Sequence, residues 1–273
     1  MSATETRRPK IALVLGSGGA RGLAHIGVIE ELQRHGLEIA YISGCSMGAL
    51  VGGIYAAGKL DVYAKWVRDL ERKDVFGLLD LSFGLQGLFK GDRIISTLRE
   101  MIGECDIGDL DIGFTAVATD LHDQREVWLN SGPLFDAIRA SMAIPTVFTP
   151  WVYKGRVLVD GGLLNPLPIA PALNHQTDMI IAVNVSARRE KAREPDAPEG
   201  TQPPGIFDVV SMSLDTMQAA IGRLKLAAYT PDLVIDIPRD ACAFYEFYRA
   251  GDMIQLGRQR ARSVLNSLSF RES

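Results

Sequence analysis

The sequence predicts an α/β fold, a three-layer α/β/α arrangement around a mainly parallel sheet, on three observations. Continuous apolar runs such as Ile11-Ala12-Leu13-Val14-Leu15 end abruptly in glycine, as strands buried on both faces do. Apolar residues recur at helical spacing between those runs. Strand and helix patterns alternate along the chain, and a strand–helix–strand crossover sets its two strands parallel in one sheet. All 273 residues read as one domain (1–273), with a flexible N-terminus at 1–9. A mobile surface loop at 187–205 is marked by its Pro, Glu, Arg and Asp content.

Taken in order, residues 10–15 form the first strand and Gly16-Ser17-Gly18-Gly19-Ala20-Arg21-Gly22 a glycine loop. Leu23, Ile26, Ile29 and Leu32 define a helix face that stops at Gly36. A second strand at 38–43 runs into Gly44-Cys45-Ser46-Met47-Gly48, followed by a small-residue helix at 49–57. Asp61 is placed to cap a helix that passes Trp66 and reaches about Arg72. Residues 75–89 are apolar yet broken by three glycines, as an irregular core connection or a lid would be. A helix at 92–101 is capped at Gly91 or Asp92, and strands at 114–119 and 125–129 meet in the turn His122-Asp123-Gln124. Pro133 opens the next helix, which ends in Ala140-Ser141-Met142-Ala143-Ile144-Pro145. A short strand at 156–159 delivers Asp160-Gly161-Gly162, and 179–185 is a further buried strand. A long helix at 207–229 puts Val210, Leu214, Met217, Ile221 and Leu224 on one face, which is expected to meet the core. A last strand at 233–237, the aromatic stretch Phe244-Tyr245-Glu246-Phe247-Tyr248 and a closing helix at 253–268 complete the chain.

A net charge of −4 leaves no basic excess to neutralise phosphates, which argues against nucleic acid as a partner. The N-terminal residues lack the apolar core of an export signal, and no run is long enough to span a bilayer. Cys45, Cys105 and Cys242 are scattered without metal-ligand spacing, so no metal site is expected. Free thiols fit a reducing compartment, and the expected location is cytoplasmic. Peripheral contact with the inner face of a membrane stays open, and nothing in the sequence sets the oligomeric state.

The chemistry centres on Gly44-Cys45-Ser46-Met47-Gly48, a Gly-x-Ser-x-Gly pattern between a strand and a helix. Such a nucleophile elbow pushes the serine hydroxyl out of a strained turn, and the flanking Gly44 and Gly48 permit the close backbone approach. Ser46 is thus the candidate nucleophile; the competing reading is a plain helix N-cap. Parallel pairing brings the 16–22 loop opposite Ser46 at the carboxyl edge of the sheet, where ligands of open α/β sheets bind. Gly18 and Gly19 can aim amides at a developing oxyanion, and Gly16, Ser17 and Arg21 of the same loop are counted with them as the candidate oxyanion hole. Arg21 either stiffens that loop or meets a substrate phosphate. A dinucleotide loop is disfavoured, because Arg21 stands where its third glycine would be needed.

A base is required as well. Of His25, His35, His122 and His175, only His175 follows Asp160 as the order of an ordinary α/β-hydrolase demands. Asp160 fits better, since it leaves a buried strand and Gly161 and Gly162 let the chain turn towards Ser46. With an ordinary carboxylate pKa of about 4 it would be a weak base that relies on orientation and the oxyanion loop. The competing reading has Asp160 capping the turn that follows it.

Gly-Ser-Gly-Gly-Ala-Arg-Gly at 16–22, Gly-Cys-Ser-Met-Gly at 44–48, Ala-Ser-Met-Ala-Ile-Pro at 140–145 and Asp-Gly-Gly at 160–162 stand together in one chain. The set resembles the patatin-like phospholipase family, especially bacterial members similar to the catalytic domain of neuropathy target esterase, over about residues 10–185. The resemblance implies a patatin-like fold and a Ser46–Asp160 dyad that hydrolyses lipid acyl esters, with the Gly18-Gly19 region as oxyanion hole and neither histidine, metal nor cofactor needed. Ser17, Cys45 and Gly162 depart from residues common in the family, and Cys45 is expected to alter reactivity towards thiol reagents. Two other functions fit the residues: an esterase or acyltransferase using His175, and a catalytically idle protein that binds acyl groups or nucleotide.

Overall fold

The computed structural model describes residues 7–78, 89–190 and 205–269. Residues 1–6 of the expected N-terminal tail at 1–9, most of the 75–89 stretch and most of the 187–205 loop lie outside the described residues. The elements run β1 (Lys10–Leu15), α1 (Ala24–Arg34), β2 (Glu38–Cys45), α2 (Met47–Ala56), α3 (Leu60–Arg68), α4 (Arg72–Gly77), α5 (Asp92–Ile102), β3 (Gly113–Asp120) and β4 (Arg125–Leu129). They continue with α6 (Leu134–Ser141), β5 (Trp151–Tyr153), β6 (Arg156–Asp160), β7 (Met179–Ala187), α7 (Ile206–Ala228), β8 (Leu233–Pro238) and α8 (Ala250–Ser269). The helix expected from Asp61 to about Arg72 is α3, which begins after Lys59 with no side-chain cap and ends at Arg68; α4 is a separate short helix that starts at Arg72.

Five strands, in the order β3-β2-β1-β7-β8, are parallel, and β4, β6 and β5 add antiparallel pairings at one side. The apolar strands β1 and β2 are buried almost throughout, which is why their sequences run apolar without alternation. The described part of the chain thus has the mainly parallel sheet with surrounding helices that the alternation of elements implies.

β6, to which the sequence reading assigned no direction, does not run with the parallel strands. β5 and β6 form a hairpin through Lys154 (φ 49°) and Gly155 (φ 77°). Two central residues with positive φ make the tight turn that matches strand twist, so β6 returns antiparallel to β5 and also to β3.

The register has a consequence for the site. β2 pairs with residues 113–117 of β3, β4 with 116–120 and β6 with 118–120. Because β4 overlaps both of the others, β2 and β6 must share the opposite edge of β3. They run head to head along it: Cys45 lies opposite Val117 and Asp160 opposite Ala118.

α7 also differs from expectation. Met217 and Leu224 are 49% and 69% exposed, and Val210, Leu214 and Ile221 are half-buried, so the predicted face is not a core face. Of its described side chains and glycines, only Ala219 and Gly222 are buried. α8 lies along α1 backbone to backbone: a Cβ on Gly27 would stand 1.9 Å from the Ile254 carbonyl oxygen, and one on Gly257 2.0 Å from that of Ala24. Arg262 reinforces the pair with two bonds to the buried Glu31 carboxylate (2.9 and 3.1 Å), and Arg258 binds Glu30. Among the described residues no helix is long and apolar enough to cross a membrane.

Candidate active site

β2 stops at Cys45 and α2 starts at Met47, which leaves Ser46 to make the whole change of direction at φ 54° and ψ −120°. That backbone conformation is rare and unfavourable for a residue with a side chain, costing about 1–3 kcal/mol, and it persists only where neighbours enforce it. The turn closes tightly. A Cβ on Gly44 would stand 2.5 Å from the Gly48 carbonyl oxygen, and one on Gly48 2.1 Å from that of Leu15. Although Ser46 occupies the N-cap position, its hydroxyl makes no capping bond, which counts against the plain N-cap reading.

Asp160 is buried at 2% exposure. Its Oδ1 accepts the Gly162 amide at 2.7 Å and faces the Cys45 thiol at 3.8 Å. The capping role is therefore real, and it uses one oxygen. The buried Oδ2 has no hydrogen-bond partner among the described residues. Burial pushes the carboxyl up to about 6, against the pull of the nearby Ser46 hydroxyl, the Gly162 amide and the Cys45 thiol. The sequence expectation of an ordinary value is thus corrected, because a carboxylate kept from water holds its proton more tightly. The same surroundings govern Cys45: burial first, then the Asp160 charge, push its thiol well up, so the expected reactivity with thiol reagents is opposed.

In the glycine loop the amides of Gly16 and Ser17 are already engaged, donating to Val183 O (3.1 Å) and Pro166 O (2.8 Å). Among the described residues no hydrogen bond engages the amides of Gly18 or Gly19. Gly19 has φ 56°, and a Cβ there would stand 2.4 Å from the Phe244 ring, so the loop is built for glycine. Arg21 takes the stiffening role of its two expected ones. It is buried and donates to Val185 O (3.2 Å), Arg239 O (3.3 Å) and Asp215 Oδ1 (3.3 Å), linking the loop to β7, the end of β8 and α7. On the base side, Gly161 lies over β3, where a Cβ would stand 2.1 Å from Val117 O, and Gly162 lies between Asp160 and Ser17.

None of the four histidines takes a place suited to removing a proton from Ser46. His25 sits under the loop with Nε2 donating to Gly16 O at 2.8 Å, and burial lowers its pKa to about 4. His35 bonds Glu31 O at the end of α1, and His122 lies in the β3–β4 turn. His175 stacks on Tyr41 with ring centroids 3.4 Å apart. Tyr41 is five residues before Ser46, roughly 16 Å at a strand rise of about 3.3 Å per residue.

Ser46 and Gly19 border a cavity of about 360 Å³ whose other walls are largely apolar, including Tyr63, Trp66, Met142, Phe148, Phe244 and Phe247. The aromatic 244–248 stretch is divided: Phe244 and Phe247 line the cavity, while Tyr245 at its rim is 71% exposed. Three contributors escaped the sequence reading. Ser141 donates to Val117 O and accepts the Ser46 amide, Asp215 holds Arg21, and Phe244 accepts the Ala20 amide at 2.9 Å. The 140–145 motif was the one available signal for Ser141 and the aromatic 244–248 stretch that for Phe244; α7 carried none for Asp215.

Comparison with known proteins places these residues in context. The family model described as patatin-like phospholipase matches residues 13–173. Uncharacterized NTE family proteins of Mycobacterium tuberculosis and Mycobacterium bovis are each 37% identical, over 96% of this chain and 93% of theirs. Lysophospholipase NTE1 of Debaryomyces hansenii is 28% identical over 93% of this chain, which spans 18% of that longer protein. The crystal structure of VipD from Legionella pneumophila is similar in fold, with a TM-score of 0.50 and 13% identity over 95% of this chain and 67% of that one.

Proposed function

The chain belongs to the patatin-like phospholipase family, and from that premise we propose that it is a serine hydrolase of lipid acyl esters, of phospholipase or lysophospholipase type, using Ser46 and Asp160. The observation that carries this reading is the meeting of β2 and β6 on one edge of β3, which sets the elbow beside a buried carboxylate at the wall of an apolar cavity.

In the proposed reaction the acyl chain lies in the cavity with its carbonyl carbon over Ser46 Oγ. Asp160 takes the hydroxyl proton on its unpartnered Oδ2 as Oγ bonds to that carbon. The negative charge that develops on the carbonyl oxygen meets the free amides of Gly18 and Gly19. Collapse expels the alcohol, which takes the proton from Asp160, and leaves an ester on Ser46. Water then attacks that ester, giving its proton to Asp160, and Asp160 returns the proton to Ser46 Oγ as the fatty acid departs, restoring both groups. A carboxyl with a pKa of about 6 is better matched to proton transfer near neutral pH than one of about 4.

Labelling with a fluorophosphonate probe, together with a panel of lysophospholipid, phospholipid and short-chain esters, tests the reading. The wild type is expected to label and turn over, and Ser46→Ala to lose labelling and at least about 10⁴-fold in kcat. A folded wild-type chain that never labels favours an idle binding protein. His175→Ala is expected to keep kcat within about twofold, because that ring stacks on Tyr41; its loss of activity would favour a histidine-dependent esterase or acyltransferase.

A further inference from the structure

The elbow and the base are held by the same short piece of chain. Ser141, the last residue of α6, is fully buried; its Oγ accepts the Ser46 amide at 2.9 Å and donates to Val117 O at 2.6 Å. Two residues later the Ala143 carbonyl accepts the Asp160 amide at 2.9 Å. Val117 lies on β3 where β2 and β6 meet, so residues 141–143 bind the nucleophile's backbone, the base's backbone and the strand between them.

A serine at a helix end ordinarily turns its hydroxyl back to the carbonyl four residues earlier. Here that carbonyl would be Ala137 O, and Ser141 reaches instead to residues 24 and 95 positions away. The Ser46 amide belongs to a residue between a strand and a helix, in a conformation that neighbours must enforce. Without an acceptor it would be a buried, unsatisfied donor. We infer that Ser141 is a positioning residue for hydrolysis, whose hydroxyl holds the Ser46 turn in its strained conformation and, with Ala143, fixes the spacing between Ser46 and Asp160. This inference rests on the dyad reading above.

The test compares Ser141→Ala and Ser141→Thr with wild type, measuring the fluorophosphonate labelling rate and kcat and KM on a soluble chromogenic ester. Ser141→Ala is expected to slow labelling and lower kcat roughly tenfold to a hundredfold, the effect of one lost buried bond, with KM within about twofold. Threonine retains the hydroxyl and is expected to restore both rates to within about threefold. A packing role predicts the reverse order, since the extra methyl of threonine crowds a fully buried site more than alanine does. Wild-type labelling by Ser141→Ala, or slower labelling by Ser141→Thr than by Ser141→Ala, overturns the inference while leaving the dyad intact. If Ser141→Ala does not fold, the near-isosteric Ser141→Cys decides: labelling slowed more than about fivefold supports positioning, and a lesser effect overturns it. A wild type that never labels overturns both proposals.

Discussion

Asp160→Asn is expected to melt at a higher temperature than wild type at pH 7.5 while losing about 10²–10⁴-fold in kcat, the range for removing a general base. The stability gain follows from the raised carboxyl. In the unfolded chain the aspartate has its ordinary value of 3.8, and in the folded protein burial lifts it to about 6. The folded state therefore binds the proton more tightly. The penalty for a buried charge is absent below about pH 4, grows as pH rises towards 6 and is fully present above it. The difference between 3.8 and about 6 corresponds to about 3 kcal/mol at neutral pH. Asparagine keeps the acceptor for the Gly162 amide and carries no charge, but leaves a neutral amide buried, so a net gain of about 1–2 kcal/mol is expected. In a chain of this size that raises the melting temperature by roughly 2–4 °C. Calorimetry at pH 7.5 and pH 4 checks the sign, because the advantage should shrink at the lower pH. An Asp160→Asn protein that melts below wild type at pH 7.5 would rule out a strained carboxylate. The wild-type kcat/KM should in turn rise with pH to a plateau, with an apparent pKa near 6.

Gly48→Ala is expected to remove both stability and activity. The added methyl would meet the Leu15 carbonyl oxygen at 2.1 Å and its carbon at 2.5 Å, both backbone atoms in the sheet centre, so no side-chain rotation relieves it. Either α2 lifts off β1 or the elbow opens, with a loss of at least about 3 kcal/mol, at the upper end for overpacking. A displacement of about 1 Å at the nucleophile would cost roughly a further hundredfold in turnover. Gly222→Ala in α7 is the control: nothing lies within 4 Å of its added carbon, and alanine favours a helix by up to about 1 kcal/mol. Denaturant midpoints measured side by side decide the matter, and equal midpoints for the two variants would mean that the elbow is not tightly closed.

Much of this arrangement was legible in the chain because its signals are local. β1, the glycine loop, α1, β2 and the elbow follow from apolar runs cut by glycine, and the four-motif resemblance agrees with the family model over residues 13–173. The direction of β6 was not legible, since strand polarity is set by the connection. The signal was present in Lys154-Gly155 between two apolar stretches, a pair suited to a tight hairpin. α7 misled for another reason: helical periodicity finds an apolar stripe but not what covers it, and Met217 and Leu224 face outward. The raised carboxyl of Asp160 depends on burial by distant segments, which composition does not report. Ser141 shows the same limit, its two partners lying 24 and 95 residues away.

The clasp between α1 and α8 reaches further than its own contacts. Ala24, whose carbonyl Gly257 accommodates, directly follows the turn Gly19–Leu23, so the final helix sets how the first helix sits beneath the glycine loop. A gene fragment trimmed to the family-matched span, ending at residue 173, would encode the proposed Ser46–Asp160 pair and still leave the first helix without its bedding. Substitution at Gly257 is accordingly limited by a fit on the scale of a bond length.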